Sequence, residues 1–298
     1  MLQKSLSLDE IIESEQLVIL DTCCLIEPSL LRYLIGIYQC NQLNERLIDK
    51  YLLSYSLFNN SFKRPNVRTI NEVSVEIKRP LRVLNDISKR VRDNGKISHD
   101  QKKLLDKLDL LKYSMITAYE SSRTSNIELL DTRYIFLLDI IKTTEDYFHF
   151  KFDSKRWKEN VSKTKRVGSY NGPRKSNDTD ERLVAATLYV AMYSDKIPAL
   201  VSRDADFIRM FREGIGIIAS KSFFPYNHDF RYFVKNKNFR FYFGNKKGYF
   251  LKADNSLINW WSKEKIKNYL GTKTDTYFSE INTLWDKFNS VPALSMVC

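Results

Sequence analysis

Four apolar residues, Leu17 to Leu20, run without polar alternation and stop at an aspartate in the stretch LVILDTCCLIE. A strand with one wet face alternates apolar and polar positions. An unbroken apolar run predicts a strand buried on both faces, as in a parallel sheet covered by helices. Asp21 and Thr22 then stand at the carboxyl end of that strand, where open α/β sheets bind ligands. A purely structural role is equally available, because either residue can cap a following helix. The segment IPALVS repeats the arrangement and is followed by RDADF. Between the two, DTDERLVAATLYVAMYS carries acidic residues before a long apolar stretch, which predicts a helix with its acids at the positive end of the dipole. FIRMFREG predicts a short helix, and IGIIAS a third strand. This βα alternation predicts a Rossmann-like sheet, mainly parallel and flanked by helices.

The remaining pattern is mostly helical. Residues 28 to 58 carry Leu, Ile and Tyr at helix spacing, and NNSFKRPN interrupts them. A short strand is expected around VRTI. Thr69 followed by Glu72 reads as a capping box opening the next helix, and Pro80 should end or kink it. From about Asn85 to Ser176 the chain reads as a helical insertion. Two amphipathic stretches predict antiparallel helices joined near Ser121 to Ser125. A basic stretch without apolar periodicity, Lys151 to Lys175, follows them and reads as an exposed loop. Past Phe224 the texture changes again. DFRYFVKNKNFRFYFGNKKGYFLKADNS alternates aromatic with basic residues and predicts a small antiparallel sheet with turns at KNKN and GNKKG. Two helices close the chain. The expected organisation is a domain over residues 1–224, interrupted by the helical insertion at about 85–176, and a C-terminal basic and aromatic part over residues 225–298.

Composition narrows the chemistry. The chain has 298 residues and a formal net charge of +12, which favours a polyanionic partner, nucleic acid before an anionic membrane surface. Its four cysteines and three histidines have no zinc or disulfide spacing. No stretch has the length and apolarity of a signal peptide or a membrane span, so a cytoplasmic location without membrane association is expected. Hard oxygen ligands are the better prospect for a metal. Asp21 and Asp204 each follow a buried strand, Asp180 opens a helix leading to the second strand, and Glu76 lies in the helix that starts near Thr69. Four carboxylates at one sheet edge repel one another, and a divalent cation such as Mg²⁺ relieves the repulsion.

The ordered set VILDTC, VSVEI, NDTDERLVAA and LVSRDADF resembles the pattern of the PIN-domain nucleases over roughly residues 15 to 224. The resemblance implies that Asp21, Glu76, Asp180 and Asp204 are metal-binding catalytic acids, with Thr22 and Ser202 as the small hydroxyl residues beside two of them. Asp206 matches the last acid of the fourth motif, with either a metal-linked role or a bracing one. Two positions stay open: Glu72 competes with Glu76, and Asp178 and Glu181 compete with Asp180. The helical insertion and the C-terminal tail go beyond what the smallest family members have.

The resemblance implies a Mg²⁺- or Mn²⁺-dependent endoribonuclease with RNA as substrate and a protein regulator or a second copy as further candidate partners. Candidate RNA contacts are Lys155, Arg156, Lys163, Lys165 and Arg166 in the loop, and Arg240, Tyr242, Lys246 and Lys247 in the tail. In FRFYF, Phe239, Phe241 and Phe243 share one face and read as core. A nucleic-acid-binding scaffold with an inactive or residual site is the alternative. A phosphohydrolase or nucleotide-binding enzyme ranks below both, because no glycine-rich phosphate loop follows a strand and Cys23 stands where a second aspartate would be needed.

Overall fold

The computed structural model describes residues 5–24, 45–78, 80–93, 98–129, 131–149, 178–236, 239–244, 248–253 and 255–292. The expected RNA contacts Lys155, Arg156, Lys163, Lys165, Arg166, Lys246 and Lys247 lie outside them. The chain is an α/β protein with a six-stranded mixed sheet, mostly parallel and flanked by helices, in the strand order β1-β6-β5-β4-β2-β3. The strands are β1 (Ser5–Leu6), β2 (Leu17–Leu20), β3 (Val67–Arg68), β4 (Pro198–Ser202), β5 (Arg240–Gly244) and β6 (Phe250–Ala253). β2 and β4 are buried along their whole length, as their unbroken apolar runs predict.

By its internal contacts the chain divides into two compact units, residues 1–19 with 128–298, and residues 20–127. The expected boundary near residue 224 does not follow this division. β5 from the C-terminal part runs parallel to β4, with Leu200 opposite Phe241, and then turns back antiparallel into β6. The tail thus supplies strands to the main sheet.

In the first unit, helix α1 (Leu8–Ser14) is closed by a capping box between Ser7 and Glu10. Helix α6 (Thr132–Phe148) packs on α7 (Thr179–Tyr193) and on the last helix, α12 (Thr274–Ser290). From Leu183 to Ala191 every residue of α7 is buried, which fits a helix apolar all round and enclosed by its neighbours. After β4 come α8 (Ala205–Arg209), a π-helical turn (Met210–Gly214) and α9 (Ile215–Ile218). IGIIAS is therefore a buried helical turn and not the third strand. A short apolar run has no period that separates the two states, and here the preceding helix simply continues. DFRYFVK is also a helix, α10 (His228–Lys235), burying Phe230, Phe233 and Val234 at positions i, i+3 and i+4. Helix α11 (Lys263–Leu270) precedes α12.

In the second unit, α2 (Glu45–Phe62), α3 (Asn71–Lys78) and α4 (Pro80–Asp93) all pack on the long helix α5 (His99–Thr124). Pro80 stands at the first position of α4, where its missing N–H costs nothing. The two helices of the expected antiparallel pair fall in different units. α5 is held by α2, α3 and α4, whereas α6 is held by α7 and α12. Thr69, expected to open a capping box, is engaged by residues distant in sequence, its N–H donating 3.1 Å to the Ser125 carbonyl. α3 starts only at Asn71, and the Thr69 hydroxyl donates 3.0 Å to the carbonyl of Leu20. A parallel bridge between Thr69 and Asn126 uses its backbone.

Candidate metal centre

Three carboxylates of the first unit converge. Asp180, Asp204 and Asp206 each offer an oxygen atom, and these atoms lie within 4.8 Å of one another. The local sequence explains the grouping. At the end of β4, Ser202 Oγ accepts a hydrogen bond from the Asp204 backbone N–H at 3.0 Å. Asp204 then caps α8, its Oδ1 accepting from the Asp206 N–H at 3.0 Å. Two successive side-chain-to-backbone turns, each reaching two residues ahead, curl the S-x-D-x-D segment tightly. Asp180 arrives from the first turn of α7, which packs against α8. Asp180 and Asp206 both lie in first helical turns, where the dipole offsets part of their charge. All three acids are half-buried.

Such a group has net repulsion unless a proton or a cation enters it. The ligands are oxygens only, partly open to solvent, a donor set that suits hard cations such as Mg²⁺ and Mn²⁺. The residues present therefore fit the cation that the sequence implies.

The competing acids have other occupations. Asp178 is engaged by Arg182 Nε at 3.0 Å and Lys142 Nζ at 3.1 Å. Burial raises its pKa, but the hydrogen bonds from Arg182 and Lys142 outweigh that and hold it below the usual aspartate value. Glu181 is buried and is not part of the converging group. Of the acids that open α7, Asp180 is the one placed with Asp204 and Asp206.

In the second unit a smaller cluster forms around Asp21. This residue is 3% exposed at the end of β2, before a 3₁₀ turn over Thr22–Cys24. Thr22 Oγ1 lies 2.7 Å from Glu76 Oε2 and 3.2 Å from Asp21 Oδ1. The Cys23 thiol donates to Asp21 Oδ2. Glu76 is thus the acid of α3 that is linked to the Asp21 turn. α3 is held in place by serines that no sequence motif marks. Ser122 Oγ donates to Ser74 Oγ at 2.8 Å, and Ser74 Oγ donates to Asn126 Oδ1 at 3.0 Å. The signal that could have found them is the polar residue on the buried face of an otherwise apolar V-S-V-E-I turn.

One expected RNA contact is overturned. Tyr242 is 2% exposed, and its hydroxyl donates to the buried carboxylate of Glu15. Burial and that hydrogen bond push its pKa well above the usual phenol value. Arg240 pairs with the same carboxylate. Arg240 neutralises this buried acid while 34% of its side chain stays exposed, whereas Tyr242 presents no face to a base. Phe239 and Phe241 are buried against Phe211, as expected for core. Among the described residues no helix is long and apolar enough to cross a membrane. Comparison with family models, with curated proteins and with solved structures finds no match.

Proposed function

We propose that the chain is a metal-dependent endoribonuclease of the PIN-like kind. The observation that carries this reading is the convergence of Asp180, Asp204 and Asp206 on a cation-sized space at the end of a buried strand. The sequence resemblance also implies Asp21 and Glu76 as catalytic acids. A bound Mg²⁺ or Mn²⁺ supplies water activation and charge neutralisation for in-line attack at phosphorus. The three aspartates would hold it, and the Ser202 and Asp204 turns would fix their carboxylates beforehand. Thr22 would orient Glu76 and Asp21 through its hydroxyl. The excess of basic residues would draw in the RNA backbone.

A second reading, a nucleic-acid-binding scaffold without turnover, draws on the capping role of Asp204, which gives that acid a structural reason to be present. Calorimetric titration with Mn²⁺, followed by incubation with total RNA and end-sequencing, separates the two. The nuclease reading expects saturable Mn²⁺ binding and fragments bearing 5′-phosphates. RNA binding without Mn²⁺-dependent fragments would establish the scaffold instead.

A further inference from the structure

Outside the acidic group, the first unit carries a cavity of about 310 Å³ whose lining joins arginines with aromatic rings. Its lining includes Arg209, Arg212, Glu213, Trp261, Tyr269 and Phe148. We propose that it holds one unstacked base of single-stranded RNA, with Tyr269 as the stacking platform and Arg209 and Arg212 meeting the adjoining phosphates.

The aromatic rings are fixed in place. Tyr269 lies flat on Phe148, with ring centres 5.2 Å apart and planes 19° apart, and its hydroxyl donates 3.0 Å to the Phe148 carbonyl. Phe148 is buried beneath it, yet Tyr269 is 54% exposed. A large ring held in place by a stacked neighbour and more than half exposed offers a surface on which a base stacks at small entropic cost. Trp261 meets Tyr269 edge-on at 5.7 Å and is anchored by its indole N–H, which donates 2.9 Å to Glu213 Oε2. The Lys265 ammonium lies 4.1 Å over the Trp261 ring and adds positive charge beside the cavity. A volume of this size suits one nucleotide.

The cavity's position supports a polymer ligand. Arg209 is three residues after Asp206, so one turn of helix places it on the same side of α8, about 4.5 Å along the axis. Arg212 and Glu213 follow on the π-helical turn, a feature frequent at functional sites. A strand of RNA with a phosphate at Asp180, Asp204 and Asp206 thus has a neighbouring nucleotide within reach of the cavity. Trp261 and Tyr269 come from the C-terminal part of the chain, which lies beyond the region resembling PIN nucleases. The identity of the polymer rests on the nuclease reading, whereas the cavity's ability to bind a nucleotide does not.

The test measures anisotropy of a 5′-labelled single-stranded RNA hexamer on the full chain in excess EDTA, which withholds every divalent cation. Free AMP and a blunt RNA duplex serve as competitors. Tyr269→Ala should weaken hexamer binding roughly tenfold or more, and Tyr269→Phe should stay near the parent, because stacking needs the ring. Arg209→Ala with Arg212→Ala should weaken binding and reduce the salt slope by about 0.7 for each phosphate no longer neutralised. AMP should compete with the hexamer, and the duplex should compete poorly. Parent-like affinity in Tyr269→Ala and in the arginine pair would overturn the proposal, as would equal loss in Tyr269→Phe and Tyr269→Ala. Should Tyr269→Ala fail to fold, the arginine double variant decides. RNA binding that depends on the cavity, without cleavage once Mn²⁺ is added, would sink the nuclease reading alone. Cleavage with unchanged affinity in all cavity variants would sink this proposal alone.

Discussion

Thr22 joins two carboxylates with one hydroxyl: its Oγ1 is 2.7 Å from Glu76 Oε2 and 3.2 Å from Asp21 Oδ1. A hydroxyl has one proton, so the shorter contact to Glu76 takes it and the longer one is strengthened only when the proton swings over. The result is a fixed spacing between an acid at the end of β2 and an acid in the middle of α3.

Thr22→Val keeps the side-chain shape and removes that proton. It should lower unfolding free energy by about 1 kcal/mol. Metal-dependent cleavage should fall roughly tenfold or more, as for residues that orient ligating carboxylates. Thr22→Ser should restore both. Cleavage at the parent rate by Thr22→Val would show that the hydroxyl does not position Glu76 for catalysis.

Asp204 has two separable tasks. Its Oδ1 caps α8, and the carboxylate is part of the converging acids. Asparagine caps as well as aspartate, and alanine does not. Asp204→Asn should therefore melt near the parent temperature and bind Mn²⁺ much more weakly, whereas Asp204→Ala should lose the cation and about 1 kcal/mol of stability besides. Calorimetric Mn²⁺ titration and thermal melts of the two variants check this. Parent-like Mn²⁺ affinity in Asp204→Asn would remove Asp204 from the ligand set.

The contrast between what the sequence reveals and what it hides has physical causes. The buried strands β2 and β4 are legible because an unbroken apolar run ending in a polar pair has few alternatives. The S-x-D-x-D turn is legible because its hydrogen bonds are local, each reaching two residues ahead. IGIIAS misleads because β-branched apolar residues fit a strand, and only its hydrogen bonding, with the Ala219 N–H donating 2.9 Å to the Ile215 carbonyl, settles it as helix. Thr69 misleads because its hydroxyl serves a partner distant in sequence, the Leu20 carbonyl. Tyr242 and Arg240 resemble surface chemistry because nothing near them in sequence shows that Glu15 is buried and takes both. The choice of Asp180 over Asp178 likewise needs Lys142, from another helix.

Asp178 provides a pH test of that choice. Its pKa lies below the ordinary aspartate value, with burial opposed and outweighed by Arg182 and Lys142. A depressed folded pKa stabilises the fold fully above the unfolded value, and the contribution disappears as pH falls through the folded one. Asp178→Asn should thus cost at most about 1 kcal/mol near neutral pH, because the pair is partly solvated. The difference from the parent should shrink below about pH 4. Mn²⁺ affinity at neutral pH should be unchanged within about twofold, in contrast to Asp180→Asn, a difference well under about 1.4 kcal/mol. A large loss of Mn²⁺ affinity in Asp178→Asn would exchange the roles of the two residues.

Gly216 decides whether Trp261 can sit where it does. A Cβ on Gly216 would lie 2.1 Å from the Asn259 carbonyl oxygen, which is backbone and has no flexible end to swing aside. Around it, the Asn259 N–H donates 2.8 Å to the Arg212 carbonyl, and Trp261 N lies 3.5 Å from the Gly216 carbonyl. Gly216→Ala must therefore displace the segment carrying Asn259 and Trp261, or the turn carrying Arg212 and Glu213. Overpacking of this kind costs about 1–3 kcal/mol, so the variant should melt several degrees lower. Asn259 Nδ2 and Trp261 Nε1 both donate to Glu213 Oε2 at 2.9 Å. Displacement would break that shared acceptor and blue-shift or broaden tryptophan emission. Hexamer affinity in EDTA should drop alongside, while Mn²⁺ binding by Asp180, Asp204 and Asp206 should persist, since Ser202 and the α8 cap hold those acids independently of Gly216. A Gly216→Ala variant with parent stability and parent RNA affinity would show that the approach of Asn259 to Gly216 is not what fixes Trp261.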